Sequence, residues 1–188
     1  MGKHDCLFYS TTKDLYDMVG PFFQQGLAKK EYCMWIVSAT SDIDFGKAML
    51  RERIPGLDDH LQKKDIDIIY YKTWYTTSGS FDMAKVLKNW TDKLEDVGKK
   101  GYSGIRVSAD ALWCTDVEWD KLLTYEKTVH DMILQSNITA LCAYPMHKVD
   151  EIKMLRLGRF HGITIRKKDE ALEAMTNSSA SDSYYPAY

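Results

Sequence analysis

The chain has 188 residues, four cysteines and a formal net charge of −2, which argues against a basic nucleic-acid surface and against a disulfide-stapled miniprotein. A chain this long forms one domain with a short tail and buries roughly two thirds of its unfolded surface. No apolar run approaches the ~20 residues of a spanning helix and no signal peptide opens the chain, so the expectation is a cytoplasmic protein with reduced thiols and no membrane contact.

The first strand is predicted at Cys6–Tyr9, directly preceded by His4 and Asp5. Side chains alternate along a strand, so His4, Cys6 and Phe8 share one face. Ser10-Thr11-Thr12-Lys13-Asp14 follows, where many proteins of this layout carry a phosphate loop. It has no glycine and ends on an acid, so a nucleotide phosphate is not expected there. Leu15, Met18, Val19, Phe22, Phe23 and Leu27 then form a helical stripe with Pro21 inside it, which predicts a kink.

Cys33–Val37 and Ile66–Tyr71 read as strands buried on both faces, the habit of a parallel sheet. Thr73–Asp82 reads as a polar-aromatic loop able to act as a lid. Met83, Val86, Leu87, Trp90, Leu94 and Val97 mark the next helix, ended by Gly98 and Gly101. Gly104–Ser108 is a further strand, and Thr115 or Asp116 is the expected cap of a helix carrying Leu122, Glu126, Val129, His130 and Ile133. Ile138–Tyr144 is a strand, Val149, Ile152 and Leu155 suggest a short helix, and His161–Ile165 is a last strand.

Strand and helix in alternation imply right-handed crossovers. The predicted fold is α/β, three layers, with a mostly parallel open sheet and helices on both faces. Ligands in such sheets sit beyond the carboxyl ends of the strands, which here supply Tyr9, Ser38, Trp74, Asp110 and Tyr144.

Three constellations carry chemistry. If the first strand and Ile138–Tyr144 are neighbours, His4, Cys6 and Cys142 converge. They could contact a ligand, or hold zinc or another soft metal ion with one position open. The plain alternative is that both thiols pack as small hydrophobes and His4 bonds locally. Arg106 sits in an apolar strand and needs a carboxylate, for which Asp110 and Glu126 are the candidates. Trp74, Tyr75 and Trp113 could form an aromatic cage for methylated groups, or simply pack. His161 lies before the last strand and could approach His4, with nothing else to assign it a role.

Five ordered patterns carry a family likeness. They are His4-x-Cys6-x-x-Tyr9, the strand Cys33–Val37, Tyr75…Gly79-x-Phe81-Asp82, Gly104-Ile105-Arg106-Val107…Trp113, and Tyr125-Glu126 followed by Leu141-Cys142-x-Tyr144. Together they resemble the MEDS domain, a sensory module of methanogen and methylotroph regulators. The resemblance implies a RecA/KaiC-like core without its ATPase machinery, sensing a one-carbon or hydrocarbon-derived compound. A family-typical Gly-Glu stands here as Ala109-Asp110, with a shorter carboxylate.

The functional expectation is a non-catalytic sensory domain over residues 1–168, binding a small organic ligand at the carboxyl edge without a cofactor. Its expected ligand contacts are His4, Cys6, Tyr9, Tyr75, Arg106, Asp110, Trp113, Glu126, Cys142 and Tyr144. Residues 169–188 are expected as a helix remnant and flexible tail ending in Tyr184-Tyr185-Pro186-Ala187-Tyr188. The expected partner is a signalling or transcription-regulator protein in trans, with a homodimer left open. Two rivals remain: a metal or thiol-redox sensor using His4, Cys6 and Cys142, and a degenerate RecA-like interaction module. No nucleophile–base pair stands at a readable spacing, so an enzyme is not expected.

Overall fold

Seven of the described strands join one sheet in a computed structural model that describes residues 1–39, 41–168 and 171–176. In chain order the elements are β1 (Lys3–Tyr9), α1 (Thr12–Ala28), β2 (Tyr32–Val37), α2 (Ser41–Arg51), α3 (Leu57–Lys63), β3 (Ile66–Tyr70), α4 (Tyr71–Tyr75), β4 (Thr76–Thr77), β5 (Ser80–Phe81), α5 (Met83–Lys99), β6 (Ile105–Asp110), α6 (Trp119–Leu134), β7 (Ile138–Pro145), α7 (Glu151–Gly158), β8 (Ile163–Lys168) and β9 (Ala171–Thr176). The sheet order is β3-β2-β6-β7-β1-β8-β9, parallel throughout except for β9. This is the expected three-layer α/β architecture.

Strand parity divides the interior into two cores. Cys6, Phe8, Met34, Val107, Ala140 and Tyr144 face α5 and α6. Leu7, Tyr9, Cys33, Trp35, Leu141 and Ile165 face α1 and α2. Central strands buried on both sides explain why β1 and β2 read as continuous apolar runs.

Two local expectations change. Thr73–Asp82 is not an open loop: it holds the end of α4 and the β4/β5 hairpin, turning at Ser78 and Gly79, which both have positive φ. Trp74, Tyr75 and Phe81 are buried there, so the segment is a packed part of the core rather than a lid. The expected helix remnant is instead β9 over Ala171–Thr176, antiparallel to β8. Its Ala-Leu-Glu-Ala-Met sequence favours a helix locally, but pairing covers the open edge of β8 and overrides that preference. Residues 177–188, including the tyrosine-rich end, lie outside the described residues.

The turn after β1 decides what the start of α1 can bind. Thr11 caps the helix by accepting from the Asp14 N–H at 3.2 Å, while Asp14 accepts from the Thr11 N–H at 2.9 Å. This capping box places a buried carboxylate where a helix N-terminus otherwise attracts phosphate.

Candidate functional site

The polar centre lies beneath α6, between β1 and β7. His4 stands near the amino end of β1, opposite Ala140, and Cys6 stands opposite Cys142. Parity puts His4, Cys6, Cys142 and Tyr144 on one face of the sheet. The α6 helix lays Glu126 over them, and the turn before β8 adds His161, tied to β1 by the Gly162 N–H donating to the His4 carbonyl at 2.7 Å. Glu126 Oε2 lies 3.3 Å from His4 Nε2, 3.8 Å from His161 Nε2 and 3.9 Å from Cys142 Sγ. Cys142 Sγ is 3.4 Å from His4 Nε2. His130, one turn beyond Glu126, brings its Nδ1 to 3.3 Å from His4 Nδ1.

Burial sets the charge of this centre. It holds the pKa of His4 down to about 3, helped by the neighbouring His130, and that of His161 down to about 3, helped by His4. Both imidazoles are therefore neutral at pH 7, and their contacts with Glu126 are not salt bridges. Burial pushes Glu126 above the usual carboxylate range and Cys142 above the usual thiol range, the latter reinforced by Glu126. Burial likewise lifts Cys6 to about 12, and its thiol donates to Thr164 Oγ1 at 3.4 Å.

On the opposite face, burial raises Asp5 to about 6, partly offset by the Ile163 N–H that donates to it at 2.9 Å. A carboxyl raised above its unfolded value leaves stability intact below pH 4 and removes it as pH climbs through 6. Asp5→Asn keeps an acceptor for Ile163. It should be about 2–3 kcal/mol more stable than the parent at pH 8 and indistinguishable at pH 4, as read by urea melts.

Beside the centre is a small cavity of about 20 Å³, lined by His4, Tyr75, Trp90, Tyr125 and Cys142 with Val107, Val129, Ile133 and Ala140. A volume above about 10–15 Å³ admits one water-sized group. Tyr125 Oη accepts from Trp90 Nε1 at 2.9 Å, which fixes one polar tip at its wall. Next to this wall the rings of Tyr75, Phe81 and Trp113 stack 5.3–6.1 Å apart, and Tyr71 lies flat on Trp113 at 5.0 Å. Rings stacked face to face fill the space that an open cage would leave between them.

The expected site residues therefore separate. His4, Glu126, Cys142 and Tyr144 come together, with Cys6 beside them and Tyr75 across the cavity. Tyr9 faces the other core. Arg106 does too, and its partner is neither Asp110 nor Glu126. Its Nε donates to Glu31 at 2.5 Å and an NH₂ group donates to Gln25 Oε1 at 2.9 Å, over the Phe22 ring. A Cβ at Gly26 would meet Arg106 Cδ at 2.5 Å, so only glycine lets the guanidinium reach this berth. Asp110 sits at the carboxyl edge, accepting from the Ser38 hydroxyl and from the N–H groups of Ser38 (3.1 Å) and Leu112 (3.0 Å). Trp113 belongs to the ring stack.

The carboxyl edge, where a ligand was expected, carries an open cleft of about 620 Å³ between the segments after β6 and β7. Its Lys153 donates to Asp116 at 3.1 Å and lies 4.7 Å from the Trp119 ring, and its Lys148 donates to the Cys114 carbonyl at 3.3 Å. The α6 helix starts at Trp119 rather than on a Thr115 or Asp116 cap. His130 was missed although its i, i+4 spacing from Glu126 places both on one helix face.

Among the described residues, His4, Glu126, Cys142 and His161 form a group able to hold a metal ion, with donor atoms all within 4.8 Å of one another; Cys6 is outside it. No described helix is long and apolar enough to cross a membrane. No curated protein matches the chain. Among solved structures, it is similar to a KaiC-like protein from the hyperthermophilic archaeon Pyrococcus horikoshii. That likeness has a TM-score of 0.61 and 11% identity, covering 97% of this chain and 83% of the other, and it shows the fold. The family model described as "MEthanogen/methylotroph, DcmR Sensory domain" matches residues 3–162. The chain thus belongs to the MEDS family of sensory domains.

Proposed function

We propose that this chain is a non-catalytic sensor whose ligand is a neutral one-carbon compound, received in the small cavity beside the buried centre under α6 and reported to a regulator protein in trans. The observation that carries this reading is the cavity of about 20 Å³ with polar tips from His4, Tyr125 and Cys142 and otherwise aromatic and aliphatic walls. Its size favours a ligand of no more than two heavy atoms, and its polar tips favour one that also makes a hydrogen bond. Asp14 at the start of α1 weighs against a bound nucleotide, and so against hydrolysis. A ligand seated between β7 and α6 would shift the balance between two positions of α6, and that shift is what a partner would read.

The test is thermal denaturation with methanol and methanethiol against their propyl counterparts. A ligand at a hundredfold excess over its Kd adds about 2.7 kcal/mol, so the one-carbon members should raise the melting temperature and the propyl members should not. Ala140→Val adds two methyl groups to the cavity wall. It should keep the parent's melting temperature within a few degrees and abolish the ligand-induced rise. A rise that survives in Ala140→Val would move recognition to the carboxyl-edge cleft, and no rise with any of these compounds would reject the reading.

A further inference from the structure

We infer that the centre under α6 is a zinc site, with Nε2 of His4, Nε2 of His161, Sγ of Cys142 and a carboxylate oxygen of Glu126 as its four ligands. The donor atoms all lie within 4.8 Å of one another, and four of their separations come close to the edges of a tetrahedral site. Zinc bonds of 2.0–2.3 Å place tetrahedral ligand atoms about 3.3–3.7 Å apart. The distances here are 3.3 Å (His4 to Glu126), 3.4 Å (His4 to Cys142), 3.8 Å (His161 to Glu126) and 3.9 Å (Cys142 to Glu126). The His161–Glu126 distance is too wide for an ordinary N–H···O bond and close to a metal-site edge.

The donor chemistry selects the ion. One thiolate, two imidazoles and one carboxylate are a borderline set that suits zinc and not the oxygen-seeking magnesium or calcium. Thiolate and carboxylate together carry two negative charges, so a divalent ion leaves this buried site neutral. Binding transfers the Cys142 proton, and the Glu126 proton where present, to solvent, with no change of oxidation state.

The surroundings orient the ligands as metal sites require. His161 Nδ1 lies 2.7 Å from the Leu157 carbonyl. A carbonyl only accepts, so Nδ1 carries the proton and Nε2 turns its lone pair to the centre. His130 meets Nδ1 of His4 in the same outer position. The four ligands come from β1, α6, β7 and the turn before β8, so the ion would pin helix to sheet at the heart of the α6-facing core. This inference does not depend on the proposed organic ligand: metal content and metal spectrum are read without one.

The experiment is to express the full chain in zinc-replete medium and, separately, with cobalt(II) in place of zinc. One metal per chain is expected. The cobalt form should show the thiolate-to-cobalt charge-transfer band and the intense visible bands of a tetrahedral site. Cys142→Ser should lose the charge-transfer band and His161→Gln should lose the stoichiometric metal, while Cys6→Ser keeps both. Circular dichroism on each variant separates loss of metal from loss of fold. If Cys142→Ser does not fold, the parent's cobalt spectrum with Cys6→Ser decides. Substoichiometric metal, a spectrum without a thiolate band, or a band lost in Cys6→Ser would each overturn the assignment. A site that fills with zinc while no one-carbon compound raises the melting temperature would reject the ligand reading and leave this one standing.

Discussion

Glu31→Ala should lower the unfolding free energy by about 3–5 kcal/mol, the penalty of leaving a buried charge without its partner. Arg106 is 3% exposed and Glu31 is its carboxylate, at 2.5 Å. The remaining contacts, Gln25 Oε1 and the Phe22 carbonyl at 3.3 Å, are neutral acceptors. They satisfy N–H groups but do not balance a charge. A second change, Arg106→Met, removes the orphaned guanidinium and should restore most of the loss, since an apolar replacement of a buried pair is often neutral. Urea denaturation of the four proteins of this cycle reads the coupling directly. A loss below ~1 kcal/mol in Glu31→Ala would show that water reaching the partly exposed Glu31 position solvates Arg106.

Ile133→Ala is the second large effect, expected at about 2–5 kcal/mol. Ile133 is 2% exposed and walls the cavity beside the polar centre. Truncating it removes buried methyl groups and enlarges the space that limits ligand size. The variant should therefore be less stable and more permissive, with propyl compounds now raising its melting temperature. Stability lost without any broadening would place ligand selection somewhere other than this wall.

The sheet was legible because central parallel strands bury both faces. The apolar runs at Cys6–Tyr9, Cys33–Val37 and Ile138–Tyr144 could be strands of little else. Parity along β1 and β7 then gave the convergence of His4, Cys6 and Cys142 on one face, which the structure has. Parity could not say which face α1 covers. Arg106 was consequently matched with Glu126 across the sheet, when its true partner, Glu31, lies 75 positions away in sequence and on the other side. The approach of His161 to His4 was legible from its place before the last strand, and the rings lie 4.1 Å apart, but its contact with Glu126 depends on how α6 crosses the sheet, which no local pattern encodes. The β4/β5 hairpin hid behind Thr and Ser residues that read as loop, although Ser78-Gly79 carried the turn signal.

The capping box at the start of α1 also has a consequence for what the chain could come to bind. A phosphate at a helix N-terminus is held by bare N–H groups, whereas here Asp14 sets a carboxylate on the Thr11 N–H at that end. Acquiring phosphate binding would first require losing that carboxylate, and with it one half of the capping box. The glycines and lysine that confer affinity would bring their benefit only afterwards. Each first step toward phosphate binding is thus penalised before any advantage accrues, so the capping box stands as a barrier between this sequence and a phosphate-binding one.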